Sequence, residues 1–215
     1  IYNSKITPTL MAFLPAYNNA TPYGDATPNR TGGSLRVGTD TTYKAVSAGV
    51  KTTYLTEVQG EGGEDLRSFI VVSGGAVAHF GKIFKVKRLI DVNAGVRYET
   101  TARAGDAPIA FTSMLVDGGF AVEVLKKIDI LGGIKYIQAE GNEYQALRDG
   151  FNLITDFNSY DLKFNETILS AGARVRFTTS QAFAVNYNMT SFANDMVTSS
   201  NYNMGQLFFN YTGRF

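Results

Sequence analysis

The chain contains no cysteine, which excludes a disulfide framework and any thiolate metal site. It has one histidine, His79, which leaves few options for a histidine-based metal centre. Tryptophan is absent, so Tyr and Phe carry the whole 13% aromatic content. No run of about 18 apolar residues occurs, and no membrane-crossing helix is encoded. Neither sign of charge dominates: a formal net charge of +1 leaves no electrostatic footprint for nucleic acid. No signal peptide is visible at Ile1, so a processed or truncated start is expected, with export directed by a precursor segment.

What the chain does have is a period of two along most of its length. Ile90, Val92, Ala94, Val96 and Tyr98 alternate with Asp91, Asn93, Gly95, Arg97 and Glu99. A strand sends these two sets to opposite faces, whereas a helix would mix them. Met114, Val116, Gly118, Phe120, Val122 and Val124 likewise oppose Ser113, Asp117, Gly119 and Glu123. Ile128, Ile130, Gly132, Ile134 and Tyr136 oppose Asp129, Gly133 and Lys135. Ala171, Ala173, Val175 and Phe177 oppose Gly172, Arg174 and Arg176, and Phe183, Val185, Tyr187 and Met189 oppose Ala184, Asn186 and Asn188. The last segment sets Leu207, Phe209, Tyr211, Gly213 and Phe215 against Gln206, Asn210, Thr212 and Arg214.

These segments run to about ten residues or more, beyond the five or six usual in soluble sandwiches and close to the 9–11 that cross a bilayer at a tilt. The connections alternate in length. Short turns fall near Gly38–Thr42, Phe84–Arg88, Lys126–Ile128 and Thr178–Gln181. Longer polar connections fall near Tyr17–Thr31, Gln59–Asp65, Ala102–Asp106, Glu140–Ser159 and Asn194–Asn201. Outer-membrane barrels have short periplasmic turns and longer external loops. A mean hydropathy near zero also fits such a barrel, whose two faces average out.

The expected fold is therefore all-β: a closed antiparallel up-and-down transmembrane β-barrel, forming one domain over residues 1–215. Strands are expected to begin near Gly33, Tyr43, Leu66, Leu89, Ala110, Ile128, Leu162, Ala182 and Tyr202. An even count requires one more, and Ile6–Leu14 is the candidate despite Pro8, giving about ten strands. The alternative is about eight strands with a periplasmic or plugging N-terminal segment, or a larger barrel if strands precede Ile1.

The ending Phe209-Asn210-Tyr211-Thr212-Gly213-Arg214-Phe215 resembles the C-terminal signal of bacterial outer-membrane β-barrel proteins. Asn201–Phe215 is loosely similar to barrels of the Bacteroidota. The resemblance implies an integral outer-membrane location. It also implies recognition of Phe209, Tyr211, Gly213 and Phe215 by the barrel-insertion machinery. The partners expected are outer-membrane lipids, that machinery and other envelope subunits, with no nucleic acid and no cofactor.

With the apolar face toward lipid, the opposite face lines the lumen. It is expected to hold Asp91, Arg97, Glu99, Asp117, Glu123, Lys135, Arg174, Arg176 and Arg214, whose signs nearly balance. A barrel of about eight strands is just filled by its side chains, and at about ten there is room for little more than a narrow passage. A packed, ion-paired lumen is the expectation, and a narrow anion-attracting path the alternative.

His79 lies near the periplasmic end of its strand. Barrel enzymes place a catalytic histidine on the external side, so no catalytic role is expected. Gly60–Asp65 is acidic, but lacks the spaced ligands of a calcium loop. Asn19, Asn29, Asn165, Asn188 and Asn210 open Asn-x-Ser/Thr triplets, and two of these fall inside strands, where acceptors are not exposed. Tyr54, Tyr98, Tyr136, Phe177 and Phe215 suit aromatic girdles. The external loops, notably Tyr17–Thr31 and Glu140–Ser159 with Tyr144, Phe151 and Phe157, are the remaining places for binding. The function expected is that of a non-enzymatic scaffold, surface or subunit of an envelope complex. A small-solute channel is the alternative.

Overall fold

The computed structural model describes residues 30–39, 45–59, 65–105, 107–151, 153–178 and 180–213. They form one nine-stranded antiparallel sheet in the order of the chain. The strands are β1 (Arg30–Gly38), β2 (Val46–Glu57), β3 (Ser68–His79), β4 (Ile90–Arg103), β5 (Ile109–Leu125), β6 (Ile128–Arg148), β7 (Ile154–Arg176), β8 (Gln181–Asn194) and β9 (Tyr202–Gly213). Each pairs only with its neighbours in sequence, so the sheet is a plain up-and-down meander. Among the described residues β1 and β9 are its two edges and do not pair with each other. The expected strand Ile6–Leu14, and Arg214 and Phe215, lie outside the described residues.

The turns at one end are compact. Lys126–Lys127 alone joins β5 to β6, with Lys127 in the left-handed region at φ 70°. The β3–β4 connection contains a four-residue helix, α1 (Phe80–Ile83). At the opposite end lie the connections 58–67, 104–108, 149–153 and 195–201.

One expected loop is a strand pair instead. Glu140–Ser159 was expected as a long connection, but β6 runs on to Arg148 and β7 starts at Ile154. Pairing with β5 ends at Asn142 and pairing with β8 ends at Phe164, so the two strands continue beyond the sheet as a ribbon. Both sides of such a ribbon meet the same solvent. Backbone pairing therefore persists there without the apolar–polar alternation that marks strands elsewhere. At the tip, Asp149 accepts from the N–H groups of Phe151 and Leu153, both at 2.9 Å.

The register puts the two side-chain sets on opposite faces. In β4, Val92, Val96 and Tyr98 are exposed, while Arg97 is half-buried and Glu99 is buried. The same inversion holds across the sheet: Leu35, Val50, Ile134 and Phe209 are exposed, whereas Asp129 is 0% exposed. Among the described residues no second layer covers the polar face, and the sheet itself curls over it. Val77 of β3 and Phe208 of β9 line one cavity although five strands lie between them in the order.

Gly141 of β6 has φ +139°, and a Cβ there would lie 2.1 Å from the Ala110 carbonyl oxygen. Gly141→Ala should cost about 1–3 kcal/mol, from backbone strain and displacement of β5. A lowered urea midpoint in detergent would report it, against Gly150→Ala, where nothing lies within 4 Å, as the neutral comparison.

Candidate functional site

The concave face is arranged in three belts between the compact-turn end and the opposite end. The first, near the compact turns, is ionic. Asp129 of β6 faces Arg174 directly across the strand pair. Arg174 donates from Nε to Asp129 Oδ2 at 2.7 Å, and Arg176 donates from Nη2 to Asp129 Oδ1 at 2.8 Å. Arg176 also reaches Glu123 at 2.9 Å. The remaining acceptor capacity of Glu123 takes the N–H of Lys127 at 2.9 Å and of Leu89 at 3.3 Å. One carboxylate thus ties together two turns and a third strand. A separate pair, His79 Nδ1 with Asp91 Oδ1 at 2.8 Å, sits at the end of β3, in cross-strand register.

The middle belt is polar and open. Asn93, Asn186, Asn188 and Asn210 line a cavity of about 680 Å³ together with Asp91, Asp117 and Lys135. Asp117 and Lys135 face each other across β5 and β6. Glycines make room for these side chains: a Cβ on Gly95 would meet Asp117, one on Gly119 would meet Asn93, and one on Gly172 would meet Asn186.

The third belt is apolar, although it lies on the same face as the charges. Ile109, Phe111, Leu115, Ile137, Ala139, Phe164 and Phe192 form one buried cluster, with Leu162 packed against it. The Phe164 and Phe192 rings are 5.6 Å apart, and Phe192 stacks on Tyr202 at 5.2 Å. Glu166, 1% exposed, lies in register between Ile137 and Phe192. Arg97 and Glu99 pair beside this cluster. Beyond it, Arg103 Nε donates to the Ala107 carbonyl at 2.8 Å, Arg67 pairs with Glu57 at 3.8 Å, and Arg30 lies 3.9 Å from the Phe69 ring centroid.

The sequence-predicted residues therefore fall into different groups. Glu123, Arg174 and Arg176 join one network, centred on Asp129. Arg97 and Glu99 form a pair of their own, Asp91 partners His79, and Asp117 and Lys135 border the cavity. Arg214 lies outside the described residues. Phe209 and Tyr211 are exposed on the outer face of β9, and Gly213 ends the strand. Sequence reasoning missed the apolar belt and Glu166. The signal was present, because Glu166 is an even number of positions from Arg174, and Phe111 and Leu115 are in phase with Asp117.

Asn188 and Asn210 face inward, among the cavity-lining residues. Residues 60–64 of the acidic loop lie outside the described residues, and no group of three or more metal-ligating side chains occurs among the described ones. No family model, curated protein or solved structure matches the chain.

Removing Asp129 takes from Arg174 its carboxylate and leaves Arg176 with Glu123 alone. Breaking a buried pair costs about 3–5 kcal/mol, and the two arginine side chains are 33% and 34% exposed, so Asp129→Ala should fall near the lower end, about 3 kcal/mol. Asp129→Asn keeps one of the two acceptor oxygens and sets its amide NH2 against the other guanidinium, and should still cost less than the alanine. Unfolding of the two variants in urea and detergent checks the order.

Proposed function

We propose that the chain is a closed, lipid-embedded β-barrel of a bacterial outer membrane, acting as a non-enzymatic scaffold, surface or subunit of an envelope complex. One observation carries this reading: the exposed face of the sheet is the apolar one, while the buried charged side chains all lie on the covered face, beside its apolar belt. In water this arrangement is inverted. A soluble monomer keeps its largest apolar patch to about 300–600 Å². Here Leu35, Val50, Val72, Val96, Ile134 and Leu207 are exposed on successive or nearby strands from one edge to the other. In hydrocarbon the same face costs nothing, and the backbone polar groups of β2 to β8 are paired on both sides within the sheet.

A closed sheet also needs its edges joined, because unpaired N–H and C=O groups are costly in lipid. The strand we assign to that role is Ile6–Leu14, placed between β9 and β1. The chain has no cysteine, so introduced pairs report cleanly. A cysteine scan of residues 6–14 against Leu207 and Leu35 should give intramolecular cross-links at alternate positions. Their absence at every position would remove this strand from the closure.

The apolar belt and the ionic belt argue for a lumen without a wide pore. The second reading, a small-solute channel, has one observation in its favour: the asparagine-lined cavity of about 680 Å³ between those belts. Planar-bilayer recording separates the two. The scaffold reading expects no large, steady openings from the purified chain. It expects leak currents to rise when Phe111 and Phe164, which are both buried in the apolar belt, are replaced by Ala together. Large steady currents from the unaltered protein would establish the channel instead. A protein that stays in the aqueous fraction without detergent would defeat both.

A further inference from the structure

The compact-turn end of the sheet carries an uneven share of charge. The β3–β4 connection reads Gly81-Lys82-Ile83-Phe84-Lys85-Val86-Lys87-Arg88, and the β5–β6 turn is Lys126-Lys127. All six cations are exposed, and neither connection contains an acid. The acids nearest in the fold are engaged inward: Asp91 with His79, Asp129 with the two arginines, and Glu123 with Arg176 and two backbone N–H groups. A chain of net charge +1 therefore presents a concentrated positive rim.

The rim is built. Glu123 accepts from Leu89 N–H, at the end of one connection, and from Lys127 N–H, within the other, so a single carboxylate holds both basic segments side by side. Val86 N–H donates to the Gly81 carbonyl at 2.9 Å, and Phe80 stacks on Phe84 at 5.8 Å. A Cβ on Gly81 would lie 2.2 Å from the Arg88 carbonyl oxygen, so only glycine permits this closure.

Apolar side chains are interleaved with the cations. Phe84 is 66% exposed, Leu125 is 65% exposed, and Ile83 and Val86 also stand out into solvent. Cations alternating with exposed apolar groups at the end of an apolar face suit the boundary between hydrocarbon and headgroups. The apolar groups enter the acyl region, and the lysine stems reach back to the phosphates. An acidic protein surface would match the charge but leave Ile83, Phe84 and Val86 without a partner.

We propose that this rim binds anionic phospholipid headgroups of the adjacent leaflet, through phosphate oxygens shared among Lys82, Lys85, Lys87, Arg88 and Lys126. The inference rests on the lipid-embedded reading above. Lys127 serves the turn instead, since its Nζ donates to the Phe177 carbonyl at 2.9 Å.

The test uses the full chain in nanodiscs of phosphatidylcholine with a minor fraction of phosphatidylglycerol. Lipids retained after mild detergent extraction are counted by mass spectrometry. Phosphatidylglycerol should be enriched about threefold or more over the bilayer ratio, and salt should reduce the enrichment. The quadruple variant K82Q/K85Q/K87Q/K126Q should insert with the same strand content but retain the bilayer ratio. Lys163→Gln, at the opposite end, should leave the enrichment intact. A bilayer ratio in the unaltered chain, enrichment surviving in the quadruple variant, or tighter binding to polyglutamate than to the anionic bilayer would each overturn the proposal. Insertion without enrichment defeats this inference alone, whereas failure to insert defeats the embedded reading as well.

Discussion

Alternation of side chains along a strand, in a sheet that meets no second layer among the described residues, is the constraint on which the rest of this structure depends. Each residue has only two directions to point. In this chain one direction is apolar and the other carries the charges together with one apolar belt, so the sheet must place one set in contact with its surroundings and fold over the other. The charged set is the one it covers. Asp129 at 0% exposure, bridged by Arg174 and Arg176, is intelligible only with compensating hydrogen bonds, because an isolated buried carboxylate is too costly to keep.

Charge pairing and glycine placement are two answers to crowding on the concave side. The ionic belt uses cross-strand pairs, where registry puts Asp129 opposite Arg174. The middle belt uses glycines beneath Asp117, Asn93 and Asn186, so that polar side chains lie flat across a neighbouring strand. At the far end the packing changes character, and the aromatic rings of Phe111, Phe164 and Phe192 fill the space. Dispersion and exclusion of water do there what ion pairs do below. The Glu123 carboxylate links this interior order to the rim, since it meets Arg176 inside and the two basic connections at the end.

Much of the fold was legible because its signal is local. Runs such as Ile90–Tyr98 and Ile128–Tyr136 state their two faces residue by residue, and a two-residue turn such as Lys126–Lys127 leaves no topology but a hairpin. The ribbon beyond Asn142 was illegible for the converse reason: with the same medium on both sides, its residues need no alternation, and its pairing rests on backbone hydrogen bonds that composition does not record. The apolar belt was hidden differently. Phe111 and Leu115 sit in the polar phase of β5, and a reading that sorts residues by face expects polar neighbours there.

By itself the sequence determined the strand period, the meander order and the division of residues into two faces, because each depends on chemistry within a few positions of the chain. Only the tertiary structure decided which charges meet. Arg176 lies 47 positions from Asp129 and yet shares its carboxylate with Arg174. It also decided that Lys82–Arg88 and Lys126 stand together at one end, held by Glu123. Such partnerships arise from register between strands and from the curl of the sheet, and neither is written in any single segment.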